Sequence, residues 1–155
     1  MNIFKLLFYM LKGKKLEYTM TNGDIIQFLL LDVNEEDDFI CGTNSFCFLA
    51  TKSFFLDFNK YERDAIIYHE FYHNKTCIKM LIFQIIHNFF PKLFIYNIWK
   101  DEFEADKYSY DNNGSYMIDV LNKLKLKGKQ FDYSHPHNYT RIEKLLLSMK
   151  SQKNN

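Results

Sequence analysis

The sequence predicts an α+β fold: a small β-sheet in the N-terminal part, followed by a mainly helical C-terminal half. Two observations carry this. From Asp24 to Leu31 and from Phe39 to Phe58 the chain is rich in Phe, Ile and Leu with little helical period, and Gly23, Gly42 and Asn44 punctuate it, which is the pattern of short strands joined by turns. From Lys60 onward the apolar residues recur at i, i+3 and i+4, the period of helices with one buried face. With 155 residues, 47% of them hydrophobic, the chain can bury a real core. It has no repeats or low-complexity linkers, so residues 1–150 are expected as a single domain and 151–155 as a frayed tail.

Taken in order, Ile3, Phe4, Leu7, Phe8 and Leu11 stand at helical spacing, followed by Lys14 and Lys15. The segment lacks an uninterrupted apolar stretch and a small-residue cleavage site, so it does not read as a secretory signal. The expectation is a stripe packed on its own domain, with peripheral membrane contact as the alternative. The run Glu35, Glu36, Asp37, Asp38 reads as a solvated turn between strands.

Asn59-Lys60-Tyr61-Glu62 has the form of a capping box and predicts a helix from about Lys60 to Asn74. On it Ala65, Ile66, His69 and His73 share one inward face. Ile78, Leu81, Ile82, Ile85, Ile86 and Phe89 continue a helical stripe to about Phe90, with a break at Pro91 and a second apolar stretch beyond it. Gln84, His87, Asn88, Lys92 and Asn97 interrupt this region, whereas a membrane span wants some twenty mostly apolar residues. Ile142, Leu145, Leu146 and Met149 predict a last amphipathic helix, capped by Asn138.

Composition excludes some classes of function. A net charge of +1 argues against a nucleic-acid partner, which draws a strong basic excess to one face. Cys41, Cys47 and Cys77 are an odd count without CxxC spacing, so neither a disulfide framework nor a cysteine metal site is indicated. A reducing compartment, the cytoplasm, is the expected location, with peripheral membrane attachment as the alternative.

The chemistry concentrates in His69-Glu70-Phe71-Tyr72-His73. On a helix, two histidines four residues apart lie one above the other and can share a metal, while the intervening glutamate reaches a metal-activated water as general base. A hydrolytic zinc site takes a third protein ligand, and Asp101-Glu102-Phe103-Glu104-Ala105-Asp106 offers one. If this segment is helical, Glu102 and Asp106 share a face with Ala105 between them, and Glu104 points elsewhere; Glu102 is then the ligand. Asp106 would accept the second ring N–H of His69 or His73. The same acids also suit an exposed helix start that holds no metal.

Downstream, Ser134-His135-Pro136-His137-Asn138-Tyr139-Thr140-Arg141 places two histidines and an arginine before the last helix. His137 reads as a surface residue and Tyr139 mainly as a packing residue.

HEFYH, EFEAD and SHPHNYTR, in that order, resemble the HtpX-like and CAAX prenyl protease-like zinc peptidases of the gluzincin group. In that family HExxH is followed by E-[FY]-x-A-D and then by S-H-P with an arginine five residues after the proline. The resemblance runs from about Thr43 to Leu147. It implies a zincin-like metallopeptidase domain whose small sheet packs an edge strand, here near Phe46 to Phe55, on the HExxH helix. An extended peptide or protein substrate would pair with that strand.

It further implies one Zn2+ per chain on His69, His73 and Glu102, Glu70 as general base, and Asp106 as the carboxylate behind a ligating histidine. His135 and Arg141 match the family's transition-state and site-ordering residues. One departure is Tyr72, where such motifs more often carry a small residue; it bears on how closely the HExxH helix packs. The resulting expectation is a zinc-dependent endopeptidase. The alternative is a catalytically silent or latent protein of peptidase fold acting as a binding module.

Overall fold

The computed structural model describes residues 13–31, 41–43, 48–87, 91–128 and 135–153. The N-terminal stripe at 1–12, the acidic turn at 35–38 and Ser134 lie outside them. The chain divides into two compact units, one up to Asp64 and one from Ala65 onward.

In the first unit β1 (Lys14–Thr19) and β2 (Ile25–Leu31) form an antiparallel hairpin, with Lys14 opposite Leu30 and Thr19 opposite Ile25. Its turn closes with Met20 N donating to Asp24 O at 2.8 Å. Gly23 sits there at φ 92°, a region that a side chain resists. β3 (Cys41–Thr43) and β4 (Phe48–Thr51) complete a four-stranded sheet of order β1-β2-β4-β3, in which β4 runs parallel to β2 and antiparallel to β3.

This order corrects the expectation of an edge strand near Phe46 to Phe55. All four residues of β4 are buried and the strand is paired on both sides. Its apolar run without alternation belongs to an interior strand. From Lys52 to Asp57 the chain is already helical (α1), so the strand content read over Phe39 to Phe58 also ends earlier than expected. Phe54 of α1 packs 5.4 Å from Phe28 of β2, ring to ring, and Phe28 in turn meets Phe48 at 5.6 Å.

The capping box forms as a reciprocal pair: Asn59 N donates to Glu62 Oε2 at 2.7 Å, and Glu62 N to Asn59 Oδ1 at 3.0 Å. It starts α2, which runs from Lys60 to His87, so the helix read to about Asn74 and the helical stripe read beyond it are one element. Buried Asp64, in its first turns, accepts from Tyr18 Oη at 2.6 Å and from Thr21 N at 2.8 Å, which ties the hairpin to the helix start.

In the second unit α2 is followed by α3 (Pro91–Asn113), α4 (Tyr116–Leu126) and α5 (Asn138–Lys153). Pro91 opens α3, where its missing N–H is no loss. Gly114, at φ 70°, ends α3 by donating its N–H to Tyr110 O. Neither α4 nor β1 was expected from the sequence. Small residues let α2 and α3 meet closely: Ala65, Ala105 and Ser109 are fully buried, and Ser109 Oγ donates to Ala65 O at 2.6 Å. Met117, Val120, Leu121 and Leu145 close the core over α4 and α5. Among the described residues no helix is long and apolar enough to cross a membrane.

Candidate metal centre

Four residues of α2 make just over one helical turn, so His69 and His73 stack, their ring centroids 4.7 Å apart. His69 is buried and His73 half-buried. The close contact at Ala105 and Ser109 brings α3 against this face, and Glu102, 4% exposed, meets both rings. His73 Nε2 lies 3.0 Å from Glu102 Oε1, and His69 Nε2 lies 3.5 Å from Glu102 Oε2. The two Nε2 atoms are themselves 3.0 Å apart. Glu104, about half a turn around the helix from Glu102, is exposed.

Each histidine turns its other nitrogen toward a carboxylate of α3. His69 Nδ1 lies 2.9 Å from Asp106 Oδ1, out of line for a good hydrogen bond, and His73 Nδ1 lies 3.2 Å from Asp101 Oδ2. Asp101 and Asp106 are each 1% exposed. Asp101 was not singled out in the sequence. As the residue before Glu102 it stands about 100° around the helix from it, and only the placement of the His73 ring brings it into the site.

Arg141 reaches in from α5. Its Nε donates to Asp106 Oδ2 at 2.7 Å and its Nη2 to Asp106 Oδ1 at 2.5 Å, a two-pronged pair, and Nη2 stands 3.4 Å from Glu102 Oε2. Arg141 is 5% exposed, so it braces the carboxylates from behind. His135 stands at the open rim, its side chain 48% exposed and its Nε2 3.7 Å from Glu102 Oε1. Pro136, fully buried, anchors that rim. His137 is exposed, and Tyr139, 64% exposed, lies under Lys125 Nζ.

Electrostatics follow from this crowding. Burial alone would raise Glu102, yet the Arg141 guanidinium and the neighbouring His69 and His73 hold it well below the usual carboxylate range. Asp106 is lowered in the same way, its burial outweighed by Arg141. Burial opposes charge on the histidines, but Asp106 and Glu102 raise His69, and Asp101 and Glu102 raise His73 to about 10. Glu70 stands half-buried, with its pKa raised by desolvation against the lowering influence of His69 and His73. A carboxylate raised in this way holds a proton more readily than a solvated one, the direction that suits a general base.

No family model, curated protein or solved structure matches this chain. Its own donors carry the chemistry.

Whether those donors fit a metal can be tested on their spacing. Two ligand atoms 2.0–2.1 Å from a tetrahedral ion stand about 3.3–3.4 Å apart. The three separations of 3.0, 3.0 and 3.5 Å bracket that value. Glu102 Oε2 is buried and accepts no hydrogen bond, an acceptor whose desolvation a cation would offset. His69, His73 and Glu102 thus form a triad that fits a metal ion. On the α3 side, Asp101, Glu102 and Asp106 against the single Arg141 leave two negative charges, which one divalent cation neutralises.

Tyr72 does not hold the helices apart. Its ring lies beside Tyr108 of α3 at 6.0 Å and beside His73 at 6.2 Å, flanking the contact at Ala105. Arg141 also backs a half-open groove lined by Tyr96, Trp99, Phe103, Lys144 and Leu145, but none of His69, Glu70, His73 and Glu102 lines it.

Proposed function

We propose that this chain is a zinc-dependent endopeptidase of zincin-like fold, with His69, His73 and Glu102 as ligands and Glu70 as general base. The observation that carries the reading is the convergence of His69 Nε2, His73 Nε2 and the Glu102 carboxylate, with Glu70 on the same helix turn. Imidazole nitrogens with one carboxylate are a donor set that suits Zn2+ in hydrolases. Bound there, zinc supplies Lewis acidity, acidifying water and polarising a carbonyl.

The chain's own groups do the rest. Glu70 accepts a proton from the attacking water and returns it to the leaving amine, a task matched to its raised pKa. His135, half-exposed at the rim, donates a hydrogen bond to the oxygen on which negative charge develops. Arg141 is a positioning residue: its fork on Asp106 fixes the carboxylate behind His69, and its Nη2 steadies Glu102. The substrate is a peptide or protein held in extended form, and an odd cysteine count without CxxC spacing favours the cytoplasm as its compartment.

The test is metal content and proteolysis on the purified chain. Wild type and Glu104→Ala are expected to hold one zinc per chain and to cleave casein, with cleavage lost to a chelator and restored by zinc. Glu102→Ala is expected to lose both zinc and cleavage. Equal zinc loss in the two glutamate variants would refute the ligand assignment. One zinc without cleavage, before and after limited proteolysis, would favour a binding protein instead.

A further inference from the structure

We propose that Asp101 is a second positioning residue for the metal, holding His73 by its other ring nitrogen, so that each ligating histidine faces a carboxylate of one helix, on either side of the third ligand. The inference rests on the metal reading above and adds to it a residue outside the motif.

The geometry is specific. Asp101 Oδ2 lies 3.2 Å from His73 Nδ1, and the carboxylate is 1% exposed, so water does not compete for it. The same Oδ2 lies 3.2 Å from Thr76 Oγ1. Thr76 has a single hydroxyl proton and three acceptors in reach: the carbonyls of Tyr72 and His73, at 3.2 and 3.3 Å, and Asp101. A charged carboxylate is the strongest of the three. Thr76, three residues beyond His73 on α2, therefore orients Asp101, and Asp101 orients the His73 ring.

The consequence is chemical. A neutral imidazole offers its lone pair on one nitrogen only, and the partner of the other nitrogen decides which. With the proton on Nδ1 held by Asp101, the lone pair of His73 falls on Nε2, the atom 3.0 Å from both His69 Nε2 and Glu102 Oε1. Asp106 lies 2.9 Å from His69 Nδ1 but out of line for a good hydrogen bond, whereas His73 Nδ1 and Asp101 Oδ2 are within hydrogen-bond geometry. Without Asp101 the His73 ring, less buried than His69, is free to turn or to present the other nitrogen. Such partners behind a ligating histidine change metal affinity by about 10–100-fold.

The experiment measures zinc affinity by competition with a chromophoric chelator for wild type, Asp101→Asn, Thr76→Val and Glu104→Gln. Thermal unfolding of each metal-free protein and the visible absorption of each Co2+ form accompany it. Asp101→Asn is expected to weaken zinc by about 10–100-fold and to alter the Co2+ spectrum, the metal-free protein still unfolding cooperatively at a midpoint lowered by the loss of the charged partner of His73. Thr76→Val, which removes only the hydroxyl that orients Asp101, is expected to weaken zinc by a smaller factor. Glu104→Gln, which removes the same charge from the same helix without a contact to either histidine, is expected to leave affinity unchanged.

Wild-type affinity in both Asp101→Asn and Thr76→Val would overturn the role of Asp101 while leaving the metal site standing. An equal loss in Glu104→Gln would do the same, since charge alone would then explain it. A wild-type chain that takes no zinc would overturn the metal reading itself.

Discussion

At the scale of residues, His73 governs how the centre responds to pH. In the metal-free chain its pKa stands near 10, against an ordinary 6.5, because Asp101 and Glu102 outweigh burial. A raised pKa means that the folded state holds the proton more tightly than the unfolded chain. That stabilisation is complete below 6.5 and is lost as the pH rises through about 10. If the site takes zinc as proposed, binding displaces this proton, so the apparent affinity is expected to rise with pH across this window and to level off above it. Calorimetric titration in buffers of different ionisation enthalpy checks this, with roughly one proton or more released per zinc bound; an affinity flat from pH 6.5 to 9 would refute it.

Much of the site is legible at this scale because helical phase is simple arithmetic. The choice of Glu102 over Glu104 needs only 100° per residue, and Glu102 is the one that meets the histidines. Asp101 was not legible, since its role depends on how far the His73 ring extends between two helices. Arg141 was legible as a residue of interest; that it sits buried behind the carboxylates, and not at the rim with His135, depends on the packing of α5.

At the scale of elements, α2 carries the centre, and its start is set by four residues. The reciprocal bonds of Asn59 and Glu62 satisfy backbone N–H groups that the first helical turn leaves without partners. Asn59→Ala is expected to cost about 1 kcal/mol of stability, read as a lower urea midpoint at unchanged slope, with zinc affinity near wild type because His69 lies more than two turns away. A gain or no change in the midpoint would contradict the cap.

Elements with strong local signals were readable: the capping box, the helix over the histidines, the stop near Pro91 and the last helix from Asn138. Those set by tertiary pairing were not. In β1, Lys14 to Thr19, only Leu16 and Tyr18 turn inward and both are half-buried, and two apolar positions in six residues are too short a pattern to mark a strand. The unalternating run Phe48 to Thr51 points to an interior strand, but not to which strands flank it, and the edge expected there came from the family resemblance. The aromatic residues of α1 resemble strand composition, and six residues are too few to show a helical period.

At the scale of the whole molecule, the α+β class follows from composition and period, and the observed sheet and helices agree with it. The division at Asp64 separates a sheet unit from a helical one, and every residue of the metal centre belongs to the second. Metal-site residues drawn from α2, α3 and the segment leading into α5 make the centre a feature of tertiary packing, which explains why no single motif specified it. The most direct measurement is casein cleavage by the zinc-loaded wild type and by zinc-loaded Glu70→Gln at matched metal content. The prediction is cleavage by wild type and, in the variant, one zinc retained with cleavage reduced by two orders of magnitude or more, the scale of a lost general base, about 10²–10⁴-fold. Zinc-loaded wild type without cleavage, or a variant that cleaves as fast, would contradict it.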